Sequence, residues 1–130
     1  MNRAIKFRAI KDDISNYNFV YGQLVYDAIG TPRITAIDKS GAGLTFHTCL
    51  KNTECQYTGL KDKNGIEIYS GDIMKDKFGA ICKIVYVDEF ASFKQLSKIG
   101  YSPLNQSGII TDNDTVIGNI YQNPELLNIK

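Results

Sequence analysis

The stretch Gln56-Tyr57-Thr58-Gly59-Leu60-Lys61-Asp62-Lys63-Asn64-Gly65-Ile66-Glu67-Ile68-Tyr69-Ser70-Gly71-Asp72-Ile73 leaves this chain few ways to fold. Asp62-Lys63-Asn64-Gly65 is a reversal signal, because Asn and Gly accept the positive φ that short hairpin turns need. Tyr57 and Thr58 on one side, and Ile66, Ile68 and Tyr69 on the other, are β-branched or aromatic and suit a pleated surface. Ser70-Gly71-Asp72 then punctuates the chain before a further strand begins at Ile73. The stretch therefore predicts a β-hairpin followed at once by a tight turn into a third strand.

The flanking sequence continues in the same manner. Ile5, Phe7 and Ala9 alternate with Lys6, Arg8 and Lys11, as in a strand with one buried and one wet, basic face. Strands are also expected at Phe19–Tyr26, where Gly22 marks a bulge or a close approach, at Arg33–Ile37 and at Leu44–Leu50. Ala80–Val87 is the strongest strand signal, with Lys83 marking its wetter face. Val116–Tyr121 is the last strand, and Asn123-Pro124-Glu125 signals a short helical turn with Asn123 as its cap. Residues 88–99 fit either element. Phe90, Phe93 and Leu96 make a helical stripe behind Asp88-Glu89, yet the length also suits a strand.

Turns this frequent predict a small barrel or sandwich, in a chain whose 130 residues suffice for one core without metals or disulfides. Gly71-Asp72-Ile73-Met74, then Gly79, then the strand from Ala80, is like the opening of many SH3-like barrels. The reading is a mainly β protein, a single unit over 1–130, divisible into an N-terminal strand layer (1–55) and a C-terminal SH3-like barrel (56–130).

Two blocks resemble the signature of the YopX family, small proteins encoded by phages and prophages. One is Gln56–Gly65 with Ile68-Tyr69-x-Gly71-Asp72-Ile73; the other is Val116-Ile117-Gly118-Asn119-Ile120-Tyr121-Gln122-Asn123-Pro124-Glu125-Leu126-Leu127. On that resemblance Gly59, Asn64, Gly65, Gly71, Asp72, Gly118, Asn119 and Pro124 are signature positions. It also implies an SH3-like barrel in the C-terminal half and a strand over 88–99. The family name carries no established activity.

The residues themselves offer little chemistry. His47, Cys49 and Cys55 lack the paired spacing of a metal site, and the one histidine would have to serve any Ser or Cys nucleophile. Asp12-Asp13, Asp88-Glu89 and Asp112/Asp114 sit in predicted loops, where acids bond nearby backbone. No phosphate-binding glycine loop occurs. No enzyme activity, cofactor or metal is expected. The three cysteines without paired spacing, and the absence of a signal-peptide pattern in the first residues, point to the cytoplasm, with no membrane contact; the resemblance implies that of a bacterial host.

Binding remains. With 15 Lys and Arg against 14 Asp and Glu, the net charge is +1, short of the basic excess usual for nucleic-acid binders. A protein-binding or assembly module is therefore favoured, acting on a host or phage protein, with self-association into a homo-oligomer as one mode. The alternative is a nucleic-acid-binding module. Lys6 and Arg8 of the first strand, Lys61 and Lys63 of the hairpin, and Tyr57 and Tyr69 as stacking or anchoring aromatics are the candidate binding residues.

Overall fold

A computed structural model describes residues 5–13, 17–37, 40–41, 43–97, 100–103 and 114–128. The protein is mainly β: two antiparallel sheets, with helix limited to short 3₁₀ turns. It divides into two compact units, residues 1–57 and 58–130.

The first unit contains β1 (Phe7–Ile10), β2 (Phe19–Tyr26), β3 (Pro32–Ile37), β4 (Leu44–Thr48) and the start of β5 (Cys55–Lys61). Its hydrogen-bonded order is β4-β3-β2-β1-β5. Ala9, Ile34 and Cys49 are buried together, with Phe7, Val20 and Leu24 packed against them. The sheet curls around this cluster. A Cβ on Gly22 would lie 2.1 Å from the Thr35 carbonyl, so the close approach expected there needs the bare glycine. The far end of β1 also meets the far end of β4. A bridge joins Lys11 to Cys49, and the Asp12 N–H donates to the Thr48 carbonyl at 2.8 Å.

The second unit contains the end of β5, β6 (Glu67–Tyr69), β7 (Asp72–Lys75), β8 (Ile81–Val87), β9 (Ser92–Ser97), β10 (Gly100–Pro103) and β11 (Thr115–Asn119). β6 lies beside β5, and the other sheet runs β10-β9-β8-β7-β11. Ile68, Met74 and Ile84 form its core, with Leu60, Cys82, Phe93 and Val116 against them. No sheet closes into a barrel among the described residues.

Of residues 88–99, those up to Ser97 form a 3₁₀ turn at Asp88–Phe90 followed by β9, and 98 and 99 lie outside the described residues. Alternate residues of a strand face opposite ways, so the three-residue stripe of Phe90, Phe93 and Leu96 is not one face. Pairing of Phe93 with Tyr86, whose rings stack edge-on at 5.1 Å, overrides the helical spacing. The last segment, Pro124–Asn128, is likewise 3₁₀. Asn123 does not cap it with its side chain. Its Oδ1 instead accepts the Asn119 N–H at 3.2 Å, while the Leu126 N–H donates to the Asn123 carbonyl. Asp112, of the Asp112/Asp114 pair, lies outside the described residues.

Candidate interaction surfaces

The hairpin forms where expected, and Asp62 holds it. The Asp62 N–H donates to the Ile66 carbonyl, and the Gly65 N–H donates to the Asp62 carbonyl. Oδ1 of Asp62 accepts from Asn64 and Ile66, at 2.8 and 2.9 Å, and Oδ2 accepts from Val116 at 2.9 Å. Only Gly65 needs positive φ (81°); Asn64 does not take it. The same five-residue turn recurs at Asp27–Thr31 and Asp76–Ala80. Each pairs an Asp Oδ1 accepting two amides with a glycine of positive φ, Gly30 and Gly79. Those amides, Thr31 foremost, hold the Asp27 carboxyl below its ordinary range.

The other signature positions are structural. Gly59 and Gly71 have positive φ. The Gly71 N–H donates to the Ile84 carbonyl, and the Gly71 carbonyl accepts from Ile120. The buried Asp72 carboxylate accepts the Tyr69 N–H at 2.8 Å. Gly118 sits at a bulge of β11, against the side chains of Asn123 and Leu126, just before Pro124 opens the final turn. The Asn119 Oδ1 accepts from Tyr121 and Gln122.

The predicted binding residues fall in both units, and three of them are buried. Arg8 is buried, with its guanidinium 4.1 Å from the Phe19 ring. The face of β1 that alternation marks as wet is covered at Arg8 by the Phe19 ring. Tyr57 is 6% exposed and Tyr69 2%, which rules out base stacking or partner anchoring by either ring. Lys6 is half-buried, with its ammonium 5.0 Å over Tyr57. Lys61 and Lys63 alone are exposed as expected.

Two other surfaces stand out. In the second unit, Lys63 donates its N–H to the Asp114 carbonyl, and Lys75 pairs with Thr115. The turns at Asp62 and Asp76 therefore flank the start of β11, and Lys61, Lys63, Lys75 and Lys77 are exposed around it. Phe78 stands at the tip, 84% exposed, with the Lys77 ammonium 5.2 Å from its ring. Of the nearby acids, Asp62 and Asp114 are buried and Asp76 is half-buried. Burial, with Asp76 nearby, pushes the Asp114 carboxyl up to about 6; burial pushes the Cys82 thiol up to about 12.

In the first unit, the ladder registers place Tyr21, Gln23 and Val25 of β2, Arg33 and Thr35 of β3, and Leu44, Phe46 and Thr48 of β4 on one face. Leu44 and Phe46 are 61% and 60% exposed, and Tyr21 and Val25 are also exposed. Arg33 is the cation among them, tied to Asp27 at 3.5 Å. Single exposed apolar residues are ordinary, but several on one sheet face form a patch of the kind that meets a partner. The sequence signal was there, since β2 carries apolar residues on both of its faces.

Among the described residues no cluster of three or more His, Cys, Asp or Glu is placed to hold a metal ion. Nor is any described helix long and apolar enough to cross a membrane.

Comparison with known proteins agrees with the two signature blocks. The sequence profile of the YopX protein family matches residues 6–128. No curated protein matches the chain. The crystal structure of protein EF1440 from Enterococcus faecalis superposes with a TM-score of 0.62 at 26% identity, covering 97% of this chain and 99% of that one. With the match running through both units, the chain belongs to the YopX family.

Proposed function

We propose that this YopX protein is a non-enzymatic protein-binding or assembly module of phage or prophage origin, working in the cytoplasm of the bacterial host. The observation that carries the reading is the exposed apolar face of β2, β3 and β4, centred on Tyr21, Val25, Leu44 and Phe46. Such a face, exposed in the single chain, is what a partner protein covers at an interface core. The meander β7-β8-β9-β10, with β11 returning beside β7, supports reading this unit as SH3-like, a class of domain that docks peptides.

A second reading is favoured by one observation, the four exposed lysines and Phe78 around the start of β11. That end of the second unit suits a single-stranded nucleic acid, with phosphates on the lysines and a base on Phe78.

Tagged protein drawn through host lysate, with and without nuclease, separates the two. A discrete protein that survives nuclease, is lost with Tyr21→Ala/Phe46→Ala and is kept with Lys61→Ala/Lys63→Ala is the expected result. Capture that ignores the aromatic pair, or that vanishes with nuclease and with the lysine pair, overturns the first reading in favour of the second.

A further inference from the structure

We propose that the outer face of β7, β8, β9 and β10 is a track for single-stranded nucleic acid, running from Phe78 to the paired rings of Phe90 and Tyr101. The proposal rests on the second reading above and extends it from the start of β11 across the sheet. The apolar face of the first unit is left to its protein partner.

Register fixes which side chains share this face. Met74, Cys82, Ile84, Phe93 and Val116 turn inward to the core of the second unit. Residues that alternate with them turn outward, among them Lys75, Lys83, Val85, Lys94 and Leu96. Lys75 lies opposite Ile81, two residues from Lys83, and Lys83 lies opposite Leu96, two residues from Lys94. The three lysines therefore stand on one diagonal across three strands, in steps of about 7–8 Å. Such steps suit successive phosphates of an extended single strand. Lys75 is exposed, and Lys83 and Lys94 are half-buried.

Aromatic rings stand at both ends of the diagonal. Phe78 follows Lys75 at the exposed tip of the β7–β8 turn. At the other end the Lys94 ammonium lies 5.2 Å from the Phe90 ring, and Phe90 meets Tyr101 edge-on at 6.4 Å. Tyr101 pairs with Leu96 and so shares the face of the lysines, and Phe90 folds over that face to reach it. Both rings are more than half exposed. A single strand lays bases on rings of this kind and phosphates on the cations between them.

Charge decides the occupant. Among the described residues this face of β7 to β10 carries no Asp or Glu. Acids flank it in the turns. The Asp76 Oδ1 accepts the Phe78 and Ala80 amides, and Asp88 and Glu89 are exposed beyond Val87. The face closes at Ile73, which is buried and pairs with Gly118, where Asn123 and Leu126 pack. A polyanion with planar rings engages both the lysines and the aromatics, whereas an acidic peptide would engage the lysines alone.

Fluorescence anisotropy of a labelled oligothymidylate over a salt series, with the full chain, tests this. The wild type should bind, and bind more weakly as salt rises. Lys83→Ala and Lys94→Ala should each reduce the slope of log affinity against log salt by about 0.7. Tyr101→Ala should weaken binding about tenfold and leave that slope unchanged. Lys94→Arg, which keeps the charge, and Tyr21→Ala, in the first unit, should bind as wild type. No binding by the wild type at low salt overturns the track and the second reading together. Binding lost with Phe78→Ala and with Lys61→Ala/Lys63→Ala, but indifferent to Lys83→Ala, Lys94→Ala and Tyr101→Ala, overturns the track and keeps the second reading. Binding that needs Lys83 and Lys94, ignores Tyr101→Ala and is displaced by polyglutamate overturns it in favour of an acidic peptide.

Discussion

The turns at Asp62 and Asp88 reverse the chain within the same unit, by different means. At Asp62 the turn holds itself together: one carboxylate accepts three backbone amides, and Gly65 supplies the left-handed residue. At Asp88 the Ala91 N–H donates to the Asp88 carbonyl, but no hydrogen bond reaches the Asp88 carboxylate among the described residues. The left-handed position there falls to Ala91, with φ 49°. An alanine in that region is strained by roughly 1 kcal/mol or more. What keeps the second turn in place is the ladder on either side, running from Lys83–Leu96 to Val87–Ser92. One hairpin is specified by its turn, the other by its strands.

Removing the acceptor should have the largest effect. Asp62→Ala removes the buried carboxylate, leaves the Asn64, Ile66 and Val116 amides without their acceptor, and should lower unfolding stability by about 3 kcal/mol, measured by denaturant titration. A loss well under 1 kcal/mol would mean that water replaces the carboxylate and that the two turns are alike after all. Gly65→Val should follow at about 2 kcal/mol, because a β-branched residue is forced into positive φ. An unchanged thermal midpoint would show the turn relaxing to another type.

Asp114, whose carbonyl receives Lys63 at the edge of the self-held turn, adds a dependence on pH. Burial, with Asp76 nearby, pushes its carboxyl up to about 6, above the ordinary aspartate range. The native state thus binds the extra proton, so stability is greatest below the ordinary value and falls as pH rises through about 6. Asp114→Asn should flatten that slope in denaturation midpoints taken across the window, and a slope left unaltered would assign it elsewhere. The smallest effect, and the one of opposite sign, belongs to the other turn. Ala91→Gly should stabilise by about 0.5–1 kcal/mol by relieving the left-handed alanine. If it destabilises, the strands have accommodated Ala91 without strain.

The same difference explains what could be read from the sequence. Asp-x-x-Gly declares its conformation locally, so the hairpin at 62–65 and the turn before β8 were legible. Residues 88–99 carry no such declaration. Their helical stripe lost to pairing with β8, a partner that local pattern cannot display. The candidate site failed for a related reason. Alternation in β1 put Arg8 opposite Phe7 and Ala9, correctly, but alternation gives a side and not what covers it. Arg8 is packed on Phe19, and Tyr57 and Tyr69 are buried. Leu44 and Phe46, by contrast, occupy an ordinary alternating strand, and only the ladder register aligns them with Tyr21 and Val25.

The bond from the Val116 amide to the Asp62 carboxylate spans 54 positions of the sequence. During synthesis the hairpin can close as soon as it leaves the ribosome, since its own amides satisfy Oδ1. Oδ2 must wait, facing water, until β11 has emerged. Over the same interval β7 lacks the neighbour that β11 will provide. A turn that closes early in the second unit thus makes its last bond only when β11 arrives. A nascent or truncated chain lacking β11 keeps an open strand edge and a half-used carboxylate, and that is the form in which the second unit is most exposed to proteolysis and mispairing.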